Sequence, residues 1–202
     1  AARCVGCQTC VVACQMENGL QPGVSWLRVD ALEWGARPHA GRAYVSHGCL
    51  HCDDPDCVRV CPTGASFVDD LGAVQVDAPA CIGCQVCQGA CPYGARTVVR
   101  ETRWFYGAPD PAPYETWDPG ANGTAQKCTL CAGRRSRGLE PACVSACPCG
   151  ARSYIAAKEV AAEGLPVQPV SQRVWYLLPE DAPVDDVREQ LRRARGAQNV
   201  PK

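Results

Sequence analysis

Large apolar side chains are scarce. Aromatics make up 6% of the 202 residues, with two Phe, and there is a single Met. Such residues usually dominate burial, so something other than aromatic packing must organise the interior. An excess of either charge is also lacking: 20 Lys and Arg stand against 21 Asp and Glu, for a net charge of −1. That balance argues against nucleic acid or an anionic membrane as the main partner. No run approaches the ~18 apolar residues needed to span a bilayer, so any membrane connection is expected to run through another subunit. No charged segment followed by an apolar stretch opens the chain, and no secretory signal is visible. The chain opens at Ala1 without Met, three residues before a cysteine, which leaves room for a short leader or first strand ahead of it. No Ser/His/Asp grouping, phosphate-binding glycine loop or dinucleotide fingerprint occurs, so no catalytic residue is assigned.

Cysteine is what the chain has in abundance: 17 of them, an odd number. Sixteen fall into four groups. The first is Cys4, Cys7, Cys10 and Cys14; the second is Cys49, Cys52, Cys57 and Cys61. The third is Cys81, Cys84, Cys87 and Cys91; the fourth is Cys128, Cys131, Cys143 and Cys147. These are internal repeats, and the text after the last cysteine repeats too, as CPTGA at 61–65, CPYGA at 91–95 and CPCGA at 147–151. Superposing the three aligns Cys147 with Cys61 and Cys91, and places Cys149 where Thr63 and Tyr93 stand. Cys149 is therefore the spare, read as a passive cysteine rather than a ligand.

The spacing has a physical basis. C-x2-C-x2-C-x3-C-P is the bacterial ferredoxin run for a [4Fe–4S] cluster. Three thiolates on one tight loop can hold three iron corners, and the x3 gap sets the third and fourth cysteines about one helical turn apart. In two-cluster ferredoxins the fourth cysteine serves the other cluster. The following proline cannot continue the helix and turns the chain away. Groups two and three are linked by 19 residues that read as a hairpin, with a turn at Asp69-Asp70-Leu71-Gly72 and Val74 and Val76 alternating after it. Residues 49–91 then form an inner two-cluster unit. Groups one and four are left to pair around it. The expected ligand sets are Cys49, Cys52, Cys57 and Cys91; Cys81, Cys84, Cys87 and Cys61; Cys4, Cys7, Cys10 and Cys147; and Cys128, Cys131, Cys143 and Cys14.

Two other readings of the cysteines fail on the pattern. A disulfide framework suits secreted, cysteine-dense chains, but four repeats of one spacing and an odd count argue against it. Structural zinc explains pairs of C-x2-C, not the run that ends C-x3-C-P. The histidines say less. His51, inside CLHCDDPDC, is read as a partly exposed loop residue, with a hydrogen bond tuning a cluster as the alternative. His39 and His47 are read as ordinary surface positions. Lys127, Arg134, Arg135 and Arg137 either offset the charge of a thiolate-bound cluster or form a solvated basic loop.

Residues 101–127 are an insertion rich in Pro, Gly and aromatics. Trp104, Phe105, Tyr106, Tyr114 and Trp117 are expected to pack on a partner or on this chain's own cluster loops. The tail carries an expected strand at 173–179 and a helix near 184–195. Val184, Val187, Leu191 and Ala194 give that helix one apolar face, while Arg188, Arg192, Arg193 and Arg195 stay solvated. The fold class expected is α+β: tandem ferredoxin-like two-cluster units with short helices and β-hairpins, rich in loops. Its parts are an outer unit of 1–48 plus 92–155, the inner unit of 49–91, and a tail of 156–202 that docks to a partner.

Taken together, CVGCQTCVVAC, CLHCDDPDCVRVCPTGA, CIGCQVCQGACPYGA and the KCTLC and PACVSACP segments resemble the four-cluster electron-transfer subunit of molybdopterin oxidoreductases, such as dimethyl sulfoxide, polysulfide, thiosulfate, tetrathionate and arsenate reductases. The resemblance covers about residues 3–155, and the x4 gap in group two makes it specific. It implies four [4Fe–4S] clusters, since no ligand is missing, and the same pairing of groups one and four around two and three. Cys149 departs from the Thr or Ser usual after the proline. The resemblance also implies a large molybdenum or tungsten pterin subunit, often a quinol-binding membrane anchor, and export of the complex on the partner's signal. The chain would then sit at the periplasmic face, with the cytoplasmic face as the alternative. The expected function is a non-catalytic electron relay. A soluble polyferredoxin serving a hydrogenase or flavin-linked enzyme is the second reading, and a zinc interaction module the third.

Overall fold

A computed structural model describes residues 1–101, 104, 123–155, 159, 167–171 and 174–193. Most of the aromatic insertion, namely Phe105, Tyr106, Tyr114 and Trp117, lies outside these residues, as do Ala194 and Arg195. The described elements are short helices and two-stranded antiparallel sheets, with long irregular connections.

Each cysteine group feeds one short helix or two. Helix α1 (Thr9–Glu17) follows the loop of group one, and α2 (Asp56–Arg59) lies within group two. Helix α3 (Val86–Ala90) belongs to group three, whereas α4 (Ala132–Arg135) and α5 (Ala142–Ser145) belong to group four. Proline limits these helices. Pro55 and Pro141 stand immediately ahead of α2 and α5 in extended backbone, where a missing N–H costs nothing. Pro62, Pro92 and Pro148 follow the last cysteines and cannot prolong a helix. Helix α1 instead closes on Asn18, whose side-chain Nδ2 donates to the Cys14 carbonyl at 2.8 Å. The helices then pack in pairs, α1 on α5 and α2 on α3.

Strands β1 (Leu27–Trp34) and β2 (Gly41–Gly48) form the longest hairpin, in the register Leu27 opposite Gly48 through Trp34 opposite Gly41. Ala43, Val45 and His47 alternate inward along β2, as a half-buried strand requires. Strands β3 (Ser66–Val68) and β4 (Val74–Val76) are the hairpin expected between groups two and three. Its turn is tied by Asp69, whose carboxylate accepts from the Leu71 and Ala73 N–H groups at 3.1 and 2.7 Å. Strands β5 (Thr97–Val98) and β6 (Ala125–Gln126) pair across the insertion. Strand β7 (Val167–Ser171) pairs with β8 (Val174–Leu177), which falls inside the strand expected at 173–179.

The tail helix α6 (Val184–Arg193) matches the expected span closely. Val187 and Leu191 are 0% and 1% exposed, buried against Leu32, Val45, Tyr176 and Leu178 of this chain. The apolar stripe of α6 is thus covered by β1, β2 and the segment around β8 of this chain. On the same hairpin, Leu27 and Val29 pack on Cys10 and Cys14. The hairpin is the wall that backs a cysteine group on one part and the tail on another.

Candidate metal centres

The four C-x-x-C turns share a backbone device. The residue just before the second cysteine is left-handed in every group: Gly6 at φ 71°, His51 at 46°, Gly83 at 65° and Leu130 at 54°. Gln8 and Gln85 repeat the conformation one residue after the second cysteine of groups one and three. Glycine adopts this region freely, whereas His and Leu hold it at a cost of about 1–2 kcal/mol each. Bearing that cost twice in equivalent loops points to a shape demanded by what the loop encloses.

The tertiary pairing brings cysteines of different groups together. Cys52 has Cys49, Cys91 and Cys57 as its electrostatic neighbours. Cys14 is likewise surrounded by Cys128, Cys143 and Cys131. Cys61 lines a small cavity with Cys81, Cys84 and Cys87. Cys4, Cys7, Cys10 and Cys147 line a cavity of about 660 Å3, which also reaches the set around Cys14 and the spare Cys149. Among the described residues, no three His, Cys, Asp or Glu side chains converge on a position for a single metal ion. The donors surround volumes, and all of them are sulfur.

Backbone N–H groups point at these sulfurs. Ser66 N–H donates to Cys61 Sγ at 3.4 Å, Ala95 N–H to Cys91 Sγ at 3.5 Å, and Ala151 N–H to Cys147 Sγ at 3.2 Å. These three cysteines are the ones that precede the repeated proline, so Cys147 shares the environment of Cys61 and Cys91. Ala125 and Leu130 N–H groups donate to Cys81 and Cys128 Sγ at 3.4 and 3.3 Å. Such bonds stabilise thiolate and tune a bound cluster.

Burial acts in the opposite direction on the protonated thiols. It raises Cys14 well above the usual range, with Cys128, Cys143 and Cys131 adding to the effect. Burial also pushes Cys52 and Cys128 up to about 11. At Cys61 burial raises the thiol too, but hydrogen bonds from Ser66 and Thr63 outweigh it and bring the value down to about 7. Loading such a site with metal must therefore displace protons.

The cations divide into two kinds. Lys127 is 2% exposed, and its Nζ donates to the carbonyls of Val74 and Cys128. Its electrostatic neighbours include Cys49 of group two and Cys128 of group four. The Arg135 side chain is 5% exposed and meets Asp69 of the β3–β4 turn at 3.4 Å. Arg134 and Arg137 instead pair with Glu17 on α1, at 3.1 and 3.9 Å. Two arginines outside the cysteine runs matter as much. Arg96 is 1% exposed, and Arg96 Nε and Nη2 and Arg152 Nε are buried without a hydrogen-bond partner among the described residues. Donors left facing a sulfur-lined space fit an anionic iron–sulfur group.

Two histidine readings are corrected. His47 is 3% exposed rather than a surface residue, because β2 turns it inward, where its Nε2 lies 2.5 Å from Asp30 Oδ2. His51 is 4% exposed rather than a partly exposed loop residue, since its Nδ1 accepts the Val74 N–H at 3.1 Å and ties the group-two loop to β4. His39 lies at the surface, as expected.

Family models and curated relatives agree on one class. A model described as a 4Fe-4S dicluster domain matches residues 41–108 and 100–156, and a second of the same description matches residues 3–65. The thiosulfate reductase electron transfer subunit of Salmonella typhi is 39% identical over 155 residues, covering 75% of this chain and 70% of that one. The arsenate respiratory reductase iron-sulfur subunit of a Shewanella species is 36% identical, covering 74% and 76%. A selenate reductase subunit of Mesobacillus selenatarsenatis is 36% identical, covering 77% and 58%. The chain thus spans about three fifths of the length of some curated relatives it matches.

Proposed function

The chain belongs to the 4Fe-4S dicluster family of reductase iron–sulfur subunits, and on that premise we propose that it relays electrons through four [4Fe–4S] clusters between a quinol-side or other redox partner and a large molybdopterin subunit. It is a non-catalytic subunit; the reaction on substrate belongs to the partner. The ligand sets are Cys49, Cys52, Cys57 and Cys91; Cys61, Cys81, Cys84 and Cys87; Cys14, Cys128, Cys131 and Cys143; and Cys4, Cys7, Cys10 and Cys147. The single observation that carries this reading is the crossing of the repeats. Cys14, Cys61 and Cys91 each stand among the first three cysteines of the partner group.

When bound, the clusters supply one-electron carriers whose potentials follow hydrogen bonding, charge and solvent access. The chain's own residues set those three quantities. Cysteine thiolates hold the iron, and the N–H groups of Ser66, Ala95 and Ala151 donate to the sulfurs of the crossing cysteines. Leu27 and Val29 shield Cys10 and Cys14 from water. In this reading residues 49–91 form an inner unit, 1–48 with 92–155 form an outer one, and 156–202 is a tail.

No described helix is long and apolar enough to cross a membrane. In the same reading, attachment to a membrane runs through a quinol-binding anchor subunit, at the periplasmic face. Molybdenum or tungsten sits in the catalytic partner.

Metal analysis, labile-sulfide assay and EPR on the anaerobically purified chain test the proposal. Iron and sulfide in equal amounts, enough for four clusters, are expected. Zinc in place of iron would end the reading. Copurification separates the relay from a free polyferredoxin: a large pterin-containing subunit is expected, and a functional monomer without one would argue for the polyferredoxin.

A further inference from the structure

Two arginines occupy the same place in two repeats. Each follows the last cysteine of its group by five residues, in Cys91-Pro-Tyr-Gly-Ala-Arg96 and in Cys147-Pro-Cys-Gly-Ala-Arg152. In group two that position is Ser66, and in group one it is Gly19.

Arg96 is among the largest fully buried side chains of the protein. Its Nη1 donates to Ser66 Oγ at 2.7 Å, while Nε and Nη2 have no hydrogen-bond partner among the described residues. The groups it faces are thiols, those of Cys57, Cys87 and Cys49. Cys57 and Cys49 belong to one cluster set of the inner unit and Cys87 to the other.

Arg152 repeats the arrangement in the outer unit. Its guanidinium faces Cys143 and Cys10, which again belong to different sets. It donates to Ser46 Oγ, which lies 4.0 Å from Cys10 Sγ, and its buried Nε has no partner among the described residues. The same sequence position has thus placed a cation between two sulfur sites twice, fully buried at Arg96 and half-buried at Arg152.

A guanidinium stays protonated in a protein, and the hydrogen-bonding groups within reach of its remaining donors are thiols, Cys87 and Cys57 at Arg96 and Cys143 at Arg152. We infer that Arg96 and Arg152 are potential-setting residues, one per two-cluster unit, each standing between the cysteine thiols of both sets of its unit. The inference rests on the four-cluster reading above. Reduction adds one electron, hence one negative charge, to a site beside a fixed cation. Proximity of opposite charges favours that form, so each arginine raises the potentials of the two clusters in its own unit. The guanidinium gains and loses no proton in the process.

Redox potentiometry monitored by EPR, on the full chain purified with its clusters, tests this. Arg96→Gln should lower the midpoints of two of the four clusters. The reduced-to-oxidised ratio at fixed potential should fall about tenfold, which is about 59 mV for one electron. Arg152→Gln should lower the complementary two. Arg96→Lys and Arg152→Lys keep the charge and should recover most of the shift. Arg42→Gln, which removes an exposed cation paired with Glu33, should move none.

Four retained clusters with unmoved potentials would overturn the inference. So would an equal shift of all four, or equal effects of the Gln and Lys variants. If a Gln variant fails to take up clusters, Arg96→Met and Arg152→Met carry the test, since each also removes the charge and keeps a long side chain in the same space. A shift confined to one unit's pair sustains the inference, and no shift refutes it. Iron and sulfide content of the unmutated chain judges the four-cluster reading separately from this one.

Discussion

Arg96 Nη1 donates to Ser66 Oγ at 2.7 Å, joining two residues that stand at the same offset after the last cysteines of groups three and two. The two repeats meet through equivalent positions, as internal pseudo-symmetry would produce. At the same offset in group one stands Gly19, which has no side chain to offer, and Arg152 of group four bonds Ser46 of β2 instead. A hairpin strand has taken over a partner role that the glycine cannot fill.

Cys147 and Cys149 provide the plainest test of ligand register. Cys147 receives the Ala151 N–H at 3.2 Å, in the pattern shared with Cys61 and Cys91. Cys147→Ser is expected to lose or convert one cluster, and Cys149→Ser to keep all four. Iron content and EPR spin counts distinguish them; the reverse outcome would show that the register is off by two residues.

Glycine at 83 is required twice over. Its φ is +65°, and a Cβ there would come within 1.9 Å of the Gly123 carbonyl oxygen. Gly64, at φ +69°, has open space around it, so Gly64→Ala carries only the left-handed penalty of about 1–2 kcal/mol. Gly83→Ala should destabilise the chain by more than that and lower iron content at the group-three site. Denaturation monitored by cluster absorbance compares the two, and equal effects would refute the close approach.

Leu191 should dominate the attachment of the tail. It is 1% exposed in a cluster with Val187, Leu32 and Val45, so Leu191→Ala is expected to cost about 2–5 kcal/mol of tail stability. Arg192 on the outer side of α6 is exposed, and Arg192→Ala should stay within about 0.5 kcal/mol. Hydrogen exchange over α6 and β8 reads both effects directly.

His47 should make stability depend on pH below neutrality. Burial lowers its pKa from 6.5, and the hydrogen bond to Asp30 does not restore it. The unfolded chain therefore takes up a proton near pH 6.5 that the folded chain resists, so stability present above that pH is lost as pH falls through it. His47→Gln is expected to flatten this part of the stability profile below about pH 6.5. Parallel profiles for the two proteins would contradict it.

Some of this was legible without coordinates. The β3–β4 hairpin followed from Asp69-Asp70-Leu71-Gly72 between alternating valines, and α6 from the spacing of Val184, Val187 and Leu191. Both are local patterns with strong periodicity. The β1–β2 hairpin is not legible in the sequence because polar residues, His47 among them, interrupt an otherwise regular alternation on β2. The burial of His51 was hidden for a related reason: the contact that buries it comes from Val74, 23 residues away. Arg96 and Arg152 did carry a signal, the arginine that extends CPYGA and CPCGA, but it lay one residue beyond the repeat as aligned.

By itself the sequence determined the kind of chemistry, because cluster ligation depends on thiols at short, regular separations along one loop. It also determined where α2, α3 and α5 must stop, since Pro62, Pro92 and Pro148 act locally. Tertiary structure alone decided which cations are buried beside the sulfurs and which face water. Lys127 and Arg137 look alike in the chain, yet one is enclosed by β4 and the other stands at the surface beside α1. That difference arises from contacts across 53 and 120 residues, which no local pattern encodes. The same long-range placement sets Arg96 and Arg152 each beside cysteines drawn from two groups.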